Sequence, residues 1–348
     1  MFEIGGRPVG LQAAPFFIAE MSGNHNGSLD RALEIVDAIA DAGAHALKLQ
    51  TYTADTMTLN IPHGEFLIQD EKSLWNGRTL YDLYEEAHTP WAWHAPIFER
   101  ARKRGMLAFS TPFDPTAVDF LDSLDVPCYK VASFENIDLP LIRKVASMGK
   151  PMIISTGLAS LVEIAEAVDA ARGAGCKDLV ILKCTSTYPA SPADSNLRTI
   201  PYMREVLGVE VGLSDHTLGI GAAVAAVAMG ATVIEKHVTL RRADGGVDSA
   251  FSLEPHEVRM LVDETERARQ AMGIVRFGAT DRERESLVFR RSLYVVKDVA
   301  AGEAFTAENV RAIRPGLGLP PKHQEHITGR RAAHDIKRGT PMNWDLLA

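Results

Sequence analysis

The chain has 348 residues, of which 46% are hydrophobic and 24% charged, and it carries a formal net charge of -8. This composition is ordinary for a globular protein, and the length predicts one large and one small domain. The acidic balance argues against a nucleic-acid-binding surface, so we expect no nucleic-acid partner.

Neither a membrane span nor a secretory signal is visible in the chain. No apolar run approaches the length that crosses a bilayer, and the N-terminus lacks a charged segment followed by an apolar one. The cysteines Cys128, Cys176 and Cys184 form no CxxC pair and predict no disulfide framework. We therefore expect a cytoplasmic protein with no membrane partner.

Between residues 16 and 240, short β-branched apolar runs alternate with longer amphipathic ones. The strand-like runs are FFIAEMS, ALKLQT, LAFST, CYKVAS, PMIIST, LVILKCT, VGLSDH and TVIEKHVT. Helix candidates between them include residues 29–42, 93–104, 139–148 and 161–172. Eight repeats of strand and helix predict an α/β fold, a closed parallel TIM (β/α)8 barrel.

Two further stretches do not fit the simple repeat. Residues 61–90 are too many for a plain connection and predict an elaborated loop over the mouth of the barrel. After a last helix candidate at residues 255–272, short runs separated by Gly and Pro predict a small β-rich domain. We place the barrel at 1–273, a linker at 274–288 and the small domain at 289–348.

Polar residues stand at the carboxyl ends of all eight strands, where barrel enzymes carry their active sites. Two runs end in His216 and His237, and neighbouring strands would hold the two imidazoles side by side as part of a divalent-metal site. Lysines with nearby hydroxyls favour a phosphate group, and Glu20 and Glu135 are suited to moving protons. The pattern implies a phosphorylated small molecule, an oxygen-bearing second substrate and a metal.

Eight ordered motifs resemble those of the sialic acid synthase family, whose members condense phosphoenolpyruvate with an amino sugar to give a nonulosonic acid. The motifs are IAEMSGNHNG, KLQTY, FSTPFD, KVASFE, ISTG, KCTSTYP, GLSDHT and EKHVT. The C-terminal part, with the phrase IRPGLGLPP, resembles the antifreeze-like (SAF) domain of that family. The segment SLWNGRTLYDLYEEAHTPWAW resembles the pseudaminic acid synthase branch. That branch joins phosphoenolpyruvate to 2,4-diacetamido-2,4,6-trideoxy-L-altrose with loss of phosphate.

The resemblance implies a role for each matching residue. His216 and His237 match the metal ligands, with Mn2+ or Mg2+ as the ion. The residues that match phosphoenolpyruvate contacts are Lys48, Thr111, Lys130, Ser133, Ser155, Ser186 and Tyr188. The residues that match the sugar site are Gln50, Asp248 and Arg314. The residues that match the reacting centre are Glu20, Glu135, Lys48 and Lys130.

Arg314 is expected to reach the active site of the other subunit in a domain-swapped homodimer. Three alternatives stay open at this point. The same chemistry can act on N-acetylmannosamine or on the legionaminic acid precursor. A Schiff-base pyruvate aldolase would use Lys130 or Lys183 instead. A non-catalytic carbohydrate-binding or ice-binding protein would need neither the histidines nor the lysines.

Overall fold

The computed structural model describes residues 1–71 and 73–348. The chain divides into two compact units, Met1–Gly273 and Ile274–Ala348. Among the described residues, no helix is both long enough and apolar enough to cross a membrane.

The first unit opens with an antiparallel hairpin of β1 (Phe2–Ile4) and β2 (Arg7–Val9). The sequence analysis did not predict it, because each strand has three residues and only Ile4 and Val9 are fully buried.

The eight predicted strands form one parallel sheet. They are β3 (Phe16–Glu20), β4 (Ala46–Thr51), β5 (Leu107–Pro112), β6 (Tyr129–Val131), β7 (Met152–Ser155), β8 (Leu179–Cys184), β9 (Glu210–Asp215) and β10 (Val233–His237). Their hydrogen-bonded order is β5-β4-β3-β10-β9-β8-β7-β6, so the first and last strands of the barrel are paired. The terminal members of this order, β5 and β6, lie side by side and complete the barrel. The prediction of a TIM-type barrel is confirmed.

Helices alternate with these strands, and most begin at a side-chain cap. They are α1 (Leu29–Asp41), α2 (Ala54–Met57), α3 (Leu80–Ala87), α4 (Trp91–Lys103), α5 (Pro115–Ser123), α6 (Leu139–Ala146), α7 (Leu161–Gly173), α8 (Thr199–Leu207), α9 (Gly221–Ala228) and α10 (Pro255–Met272). Ser28 caps α1 by accepting a hydrogen bond from the backbone N–H of Arg31 at 3.2 Å. The sequence analysis treated residues 61–90 as a loop, but the segment contains α3, which Thr79 caps.

The strands explain why polar groups gather at one end of the barrel. In β3 the residues Phe16, Phe17, Ile18 and Ala19 are buried in the apolar core, and Glu20 closes the strand. Parallel strands carry their carboxyl ends at the same rim, so the polar residues in or just after the last part of each strand meet there.

The second unit has a core of its own. Its strands β11 (Ser292–Val295) and β12 (Val310–Ile313) pair antiparallel, and a short helix α11 (Gln324–Ile327) follows. Leu293, Phe305 and other apolar side chains fill the core.

Candidate active site

A buried cluster of charges lies at the carboxyl ends of the barrel strands. Lys48 forms an ion pair with Glu20, and its Nζ lies 3.9 Å from Oε2 of Glu235. Lys130 Nζ lies 3.7 Å from Oε1 of the same Glu235. All four side chains are almost completely buried. Two lysines and two carboxylates from β3, β4, β6 and β10 therefore form one connected group.

Glu235 is a site residue that the sequence analysis missed. It stands two residues before His237 in β10, and side chains two apart on a strand share a face. This spacing of two residues is the sequence feature that could have identified Glu235 as a site residue. It was overlooked because the histidine was taken as the only functional residue of the strand.

Hydroxyl groups complete the surroundings of the two ammonium groups. Lys48 Nζ donates to Oγ1 of Thr111 at 3.0 Å, and Lys130 Nζ donates to Oγ of Ser155 at 2.6 Å. Ammonium and hydroxyl groups held together in a buried site are suited to binding a phosphate or carboxylate anion.

Two more predicted hydroxyls converge beside Gly157. Ser133 Oγ accepts a hydrogen bond from the N–H of Gly157 at 3.0 Å. A Cβ added to Gly157 would lie 2.0 Å from Ser186 Oγ and 2.8 Å from Ser133 Oγ. Only glycine therefore fits between these two hydroxyls.

Burial and neighbouring charges set the protonation of the cluster. Burial works to lower the pKa of both lysines. The carboxylates of Glu20 and Glu235 outweigh it for Lys48, whose pKa is raised, whereas burial prevails for Lys130, whose pKa is lowered. Burial works to raise the pKa of Glu235, but Lys130 and Lys48 outweigh it and lower that pKa. An ionised Glu235 therefore faces both ammonium groups.

His216 and His237 lie next to each other, as predicted, with ring centroids 5.4 Å apart. The carbonyl of Thr185 accepts a hydrogen bond from Nδ1 of His216 at 3.0 Å, so Nε2 is the nitrogen of this ring that could bind a metal. Burial, followed by the charge of His216, lowers the pKa of His237 well below its usual value. His237 is thus a neutral nitrogen donor. Burial works to lower the pKa of His216, but Cys184 outweighs it and raises that pKa, so His216 becomes a nitrogen ligand only when it gives up its proton.

The two imidazoles, with the Asp248 carboxylate near His237, offer donor atoms to a divalent cation. His237 Nδ1 is buried and has no hydrogen-bond partner among the described residues, and Oδ2 of Asp248 lies 3.7 Å from it. In residues 1–71 and 73–348, no group of three or more His, Cys, Asp or Glu side chains forms a metal shell. Two imidazoles with an unpartnered nitrogen fit a cation that takes its remaining ligands from water or substrate.

Tyr188 links the histidines to the segment before α3. Its ring lies 4.5 Å from that of His216 and 5.9 Å from that of Trp75, measured between centroids. Trp75 Nε1 donates to the carbonyl of Val247 at 3.2 Å. These contacts of Trp75 support the prediction that its segment lies over the mouth of the barrel.

The other predicted residues differ in their placement. Gln50 is half-buried on the same face of β4 as Lys48. Glu135 follows β6, and its Oε2 is buried without a hydrogen-bond partner among the described residues. Burial raises the pKa of Glu135 to about 7, although Lys130 acts to lower it. Arg314 is exposed in the second unit, just after β12, and its role across a subunit boundary stays a prediction.

Lys183, the second lysine proposed for a Schiff base, is not part of the charged cluster. It is half-buried, and its Nζ donates to the carbonyl of Cys184 at 2.8 Å and to Oγ1 of Thr185 at 3.3 Å.

A (β/α)8 barrel whose rim joins two lysines, several hydroxyls and two adjacent imidazoles defines an enzyme that acts on a small anionic substrate. Comparison with known proteins identifies the family to which this enzyme belongs. Residues 35–276 match the NeuB family and residues 290–348 match the SAF domain, so the chain belongs to the NeuB family. The predictions of this family and of its appended domain are confirmed.

Individual members of the family show which of its enzymes this chain resembles. The chain is 45% identical over 327 residues to a pseudaminic acid synthase of Campylobacter jejuni, covering 94% of this chain and 95% of that one. It is 42% identical over 333 residues to a pseudaminic acid synthase of Helicobacter pylori, covering 95% and 97%. A crystal structure of the N-acetylneuraminic acid synthetase of Leptospira borgpetersenii superposes with a TM-score of 0.73 at 33% identity, over 82% of this chain and 94% of that one.

Proposed function

We propose that this chain is a pseudaminic acid synthase. It condenses phosphoenolpyruvate with 2,4-diacetamido-2,4,6-trideoxy-L-altrose and water to give pseudaminic acid and phosphate. The similarity to the two pseudaminic acid synthases supports the choice of sugar. The observation that carries the chemistry is the pairing of Lys48 and Lys130 with hydroxyls, close to His216 and His237.

The phosphate and carboxylate of phosphoenolpyruvate are assigned to the lysine cluster. Lys48 with Thr111 and Lys130 with Ser155 supply charge-assisted hydrogen bonds at fixed positions. Ser133, Ser186 and Tyr188 are assigned to the same substrate. These donors are fixed before the substrate arrives, so little reorganisation is needed when phosphate charge develops on the leaving group.

Carbon–carbon bond formation places C3 of phosphoenolpyruvate on the aldehyde carbon of the open-chain sugar. Gln50 and Asp248 are assigned to the sugar, near the histidines. The chemistry that a divalent cation, Mn2+ or Mg2+, supplies beside two imidazoles is Lewis acidity toward a carbonyl oxygen. The residues that would hold it are His216 and His237.

Water then adds at C2, and the tetrahedral product of that addition loses phosphate by cleavage of the C–O bond. Glu135 is the group assigned to take the proton from the water, because its carboxyl is buried near Lys130 with a pKa of about 7. Glu20 is held by Lys48 and completes the reacting centre. No bond between a lysine and the substrate is required.

A homodimer is part of the proposal, with Arg314 of one subunit completing the sugar site of the other. Light scattering tests the assembly, and Arg314→Ala should raise the KM for the sugar while leaving the dimer intact. A fully active monomer contradicts this arrangement. Because phosphoenolpyruvate is an intracellular metabolite, we place the enzyme in the cytoplasm.

The decisive experiment is a panel of three sugars with phosphoenolpyruvate and Mn2+, read by product mass and phosphate release. The diacetamido-trideoxy-altrose should give the highest kcat/KM, and EDTA should abolish turnover until Mn2+ or Mg2+ is restored. Turnover with N-acetylmannosamine or the legionaminic precursor alone would overturn the assigned sugar but keep the chemistry. No phosphate release with any of the three sugars would overturn both.

A further inference from the structure

The turn after β3 holds a residue with a side chain in a backbone conformation that favours glycine. Ser22 has a φ of 48°, in the left-handed region. Non-glycine residues in this region carry a conformational cost and persist only where their surroundings fix them. Glycine would adopt the same φ freely, so what serine adds here is its Cβ and its hydroxyl.

Neighbouring contacts hold this turn from two sides. Gly23 packs against α3, and a Cβ added there would lie 3.2 Å from Cα of Ala87. Asn24 Nδ2 donates to the carbonyl of Val238 and to Oγ of Ser252, each at 2.8 Å. The backbone of Ser22 is therefore fixed between α3 and the chain that follows β10.

Both polar groups of Ser22 are used to hold carboxylates. Its N–H donates to Oε1 of Glu20 at 3.0 Å, and its Oγ donates to Oδ2 of Asp248. Glu20 pairs with Lys48 through its other oxygen. Asp248 Oδ2 lies 3.7 Å from Nδ1 of His237. One serine thus bridges the end of the lysine cluster and the carboxylate beside the histidines.

The Asp248 side chain depends on this hydroxyl. Asp248 is buried, and among the described residues Ser22 Oγ is the hydrogen-bond donor to its carboxylate. Ser252 Oγ donates at 2.7 Å to the backbone carbonyl of Asp248 and so holds the main chain only. Without the serine hydroxyl the carboxylate keeps its place in the chain but loses the contact that sets its rotamer.

We propose that Ser22 is a positioning residue that aims the Asp248 carboxylate at the sugar and keeps Glu20 in its pairing with Lys48. In the left-handed turn one residue reaches both carboxylates, Glu20 through its N–H and Asp248 through its Oγ. This inference rests on the proposed function, because Asp248 is assigned there to the sugar.

Ser22→Gly separates positioning from support of the fold. Glycine removes the hydroxyl, which leaves the buried Asp248 carboxylate without its donor, but it also relieves the backbone conformation of residue 22. These two effects oppose each other, so the melting temperature should change little. The kcat/KM for the sugar should fall by about 10- to 100-fold, the loss expected for one hydrogen bond to a charged group. The KM for phosphoenolpyruvate should stay within about twofold. A purely structural role would lower stability and affect both substrates.

A double-mutant cycle tests whether Ser22 acts through Asp248. Ser22→Ala in the Asp248→Asn background should cost little further activity, because the carboxylate that the hydroxyl aims is already absent. Additive losses in the cycle would overturn this route of action. If Ser22→Ala does not fold, Ser22→Gly takes its place in the cycle.

Asp125→Gly is the matched control. Asp125 also has a positive φ, of 49°, but lies between α5 and β6, at the opposite end of the barrel. Asp125→Gly should leave the kinetic constants for both substrates unchanged. The inference is overturned if Ser22→Gly retains the wild-type kcat/KM for the sugar. A wild-type enzyme inactive with all three sugars would instead overturn the proposed function.

Discussion

Lys236 donates a hydrogen bond of 2.7 Å to the carboxylate of Asp215, and each stands one residue before one of the two adjacent histidines, His237 and His216. Lys236 also donates to the carbonyl of Thr217 at 2.7 Å. Side chains alternate along a strand, so Lys236 faces away from His237. The buried pair therefore joins the ends of β9 and β10 on the face away from His237, and we expect it to fix the separation of His216 and His237.

Lys236→Met should strongly destabilise the protein, because it leaves Asp215 buried without its countercharge. The expected loss in the free energy of unfolding is about 3 to 5 kcal/mol, measured by urea denaturation. Asp215→Leu with Lys236→Met should recover most of it, since both charges are then gone.

The same variants test the link to the metal site. Mn2+ affinity, measured by electron paramagnetic resonance without substrate, should fall in Lys236→Met because the imidazoles are no longer held at a fixed separation. Lys144→Met, which breaks an exposed ion pair with Asp119, should change neither quantity appreciably. An unchanged free energy of unfolding in Lys236→Met would show that Asp215 does not need Lys236 as its countercharge.

Much of the fold could be predicted because the barrel strands are short apolar runs that end in polar residues. Glu20, Lys48, His216 and His237 each lie at such an end, and parallel topology brings those ends together. The hairpin at the N-terminus could not be predicted in this way, because three-residue strands carry too little pattern. Helix α3 was missed because it has only eight residues inside a long connection, and Leu83 is its one buried residue.

Other features of the site depend on geometry that sequence pattern does not encode. Glu235 pairs with two lysines from other strands, and only the barrel register places it between them. Ser22 adopts a left-handed backbone that is unusual for a serine, so its two carboxylate contacts were not foreseen. Arg314 was singled out by resemblance alone.

Glu235→Gln should make the empty protein less stable and more responsive to anions. The carboxylate now balances Lys48 and Lys130, so its neutralisation leaves Lys130 without a carboxylate partner and Lys48 with Glu20 alone. Inorganic phosphate should raise the melting temperature more in the variant than in the wild type, because the anion supplies the missing charge.

The control for this comparison is Glu210→Gln at the start of β9, which removes a countercharge of Arg204 away from the site. Its response to phosphate should match that of the wild type. Equal stabilisation of Glu235→Gln and wild type by phosphate would show that the lysines do not bind the anion.

Lys130→Met should lower kcat/KM for phosphoenolpyruvate by about 100- to 1000-fold, the cost of removing one fixed donor from developing charge. Lys130 Nζ has Ser155 Oγ at 2.6 Å and Glu235 at 3.7 Å, which suits electrostatic binding. Borohydride with pyruvate should therefore leave no covalent adduct, as read by intact mass. An adduct on Lys130 or Lys183 would instead support the Schiff-base mechanism.

Glu135→Gln should lower kcat by about 100- to 10,000-fold and remove an ionisation from the pH profile. Burial raises the pKa of Glu135 to about 7, so the wild-type rate should rise with pH through that value as the carboxylate base forms.

The raised pKa of Glu135 means that folding favours the protonated carboxyl. Its contribution to stability is present below pH 4.5 and is lost as pH rises through about 7. Glutamine cannot ionise, so the variant should lose less stability than the wild type between pH 5 and pH 8. An unchanged pH profile in the variant would remove Glu135 from the role of base.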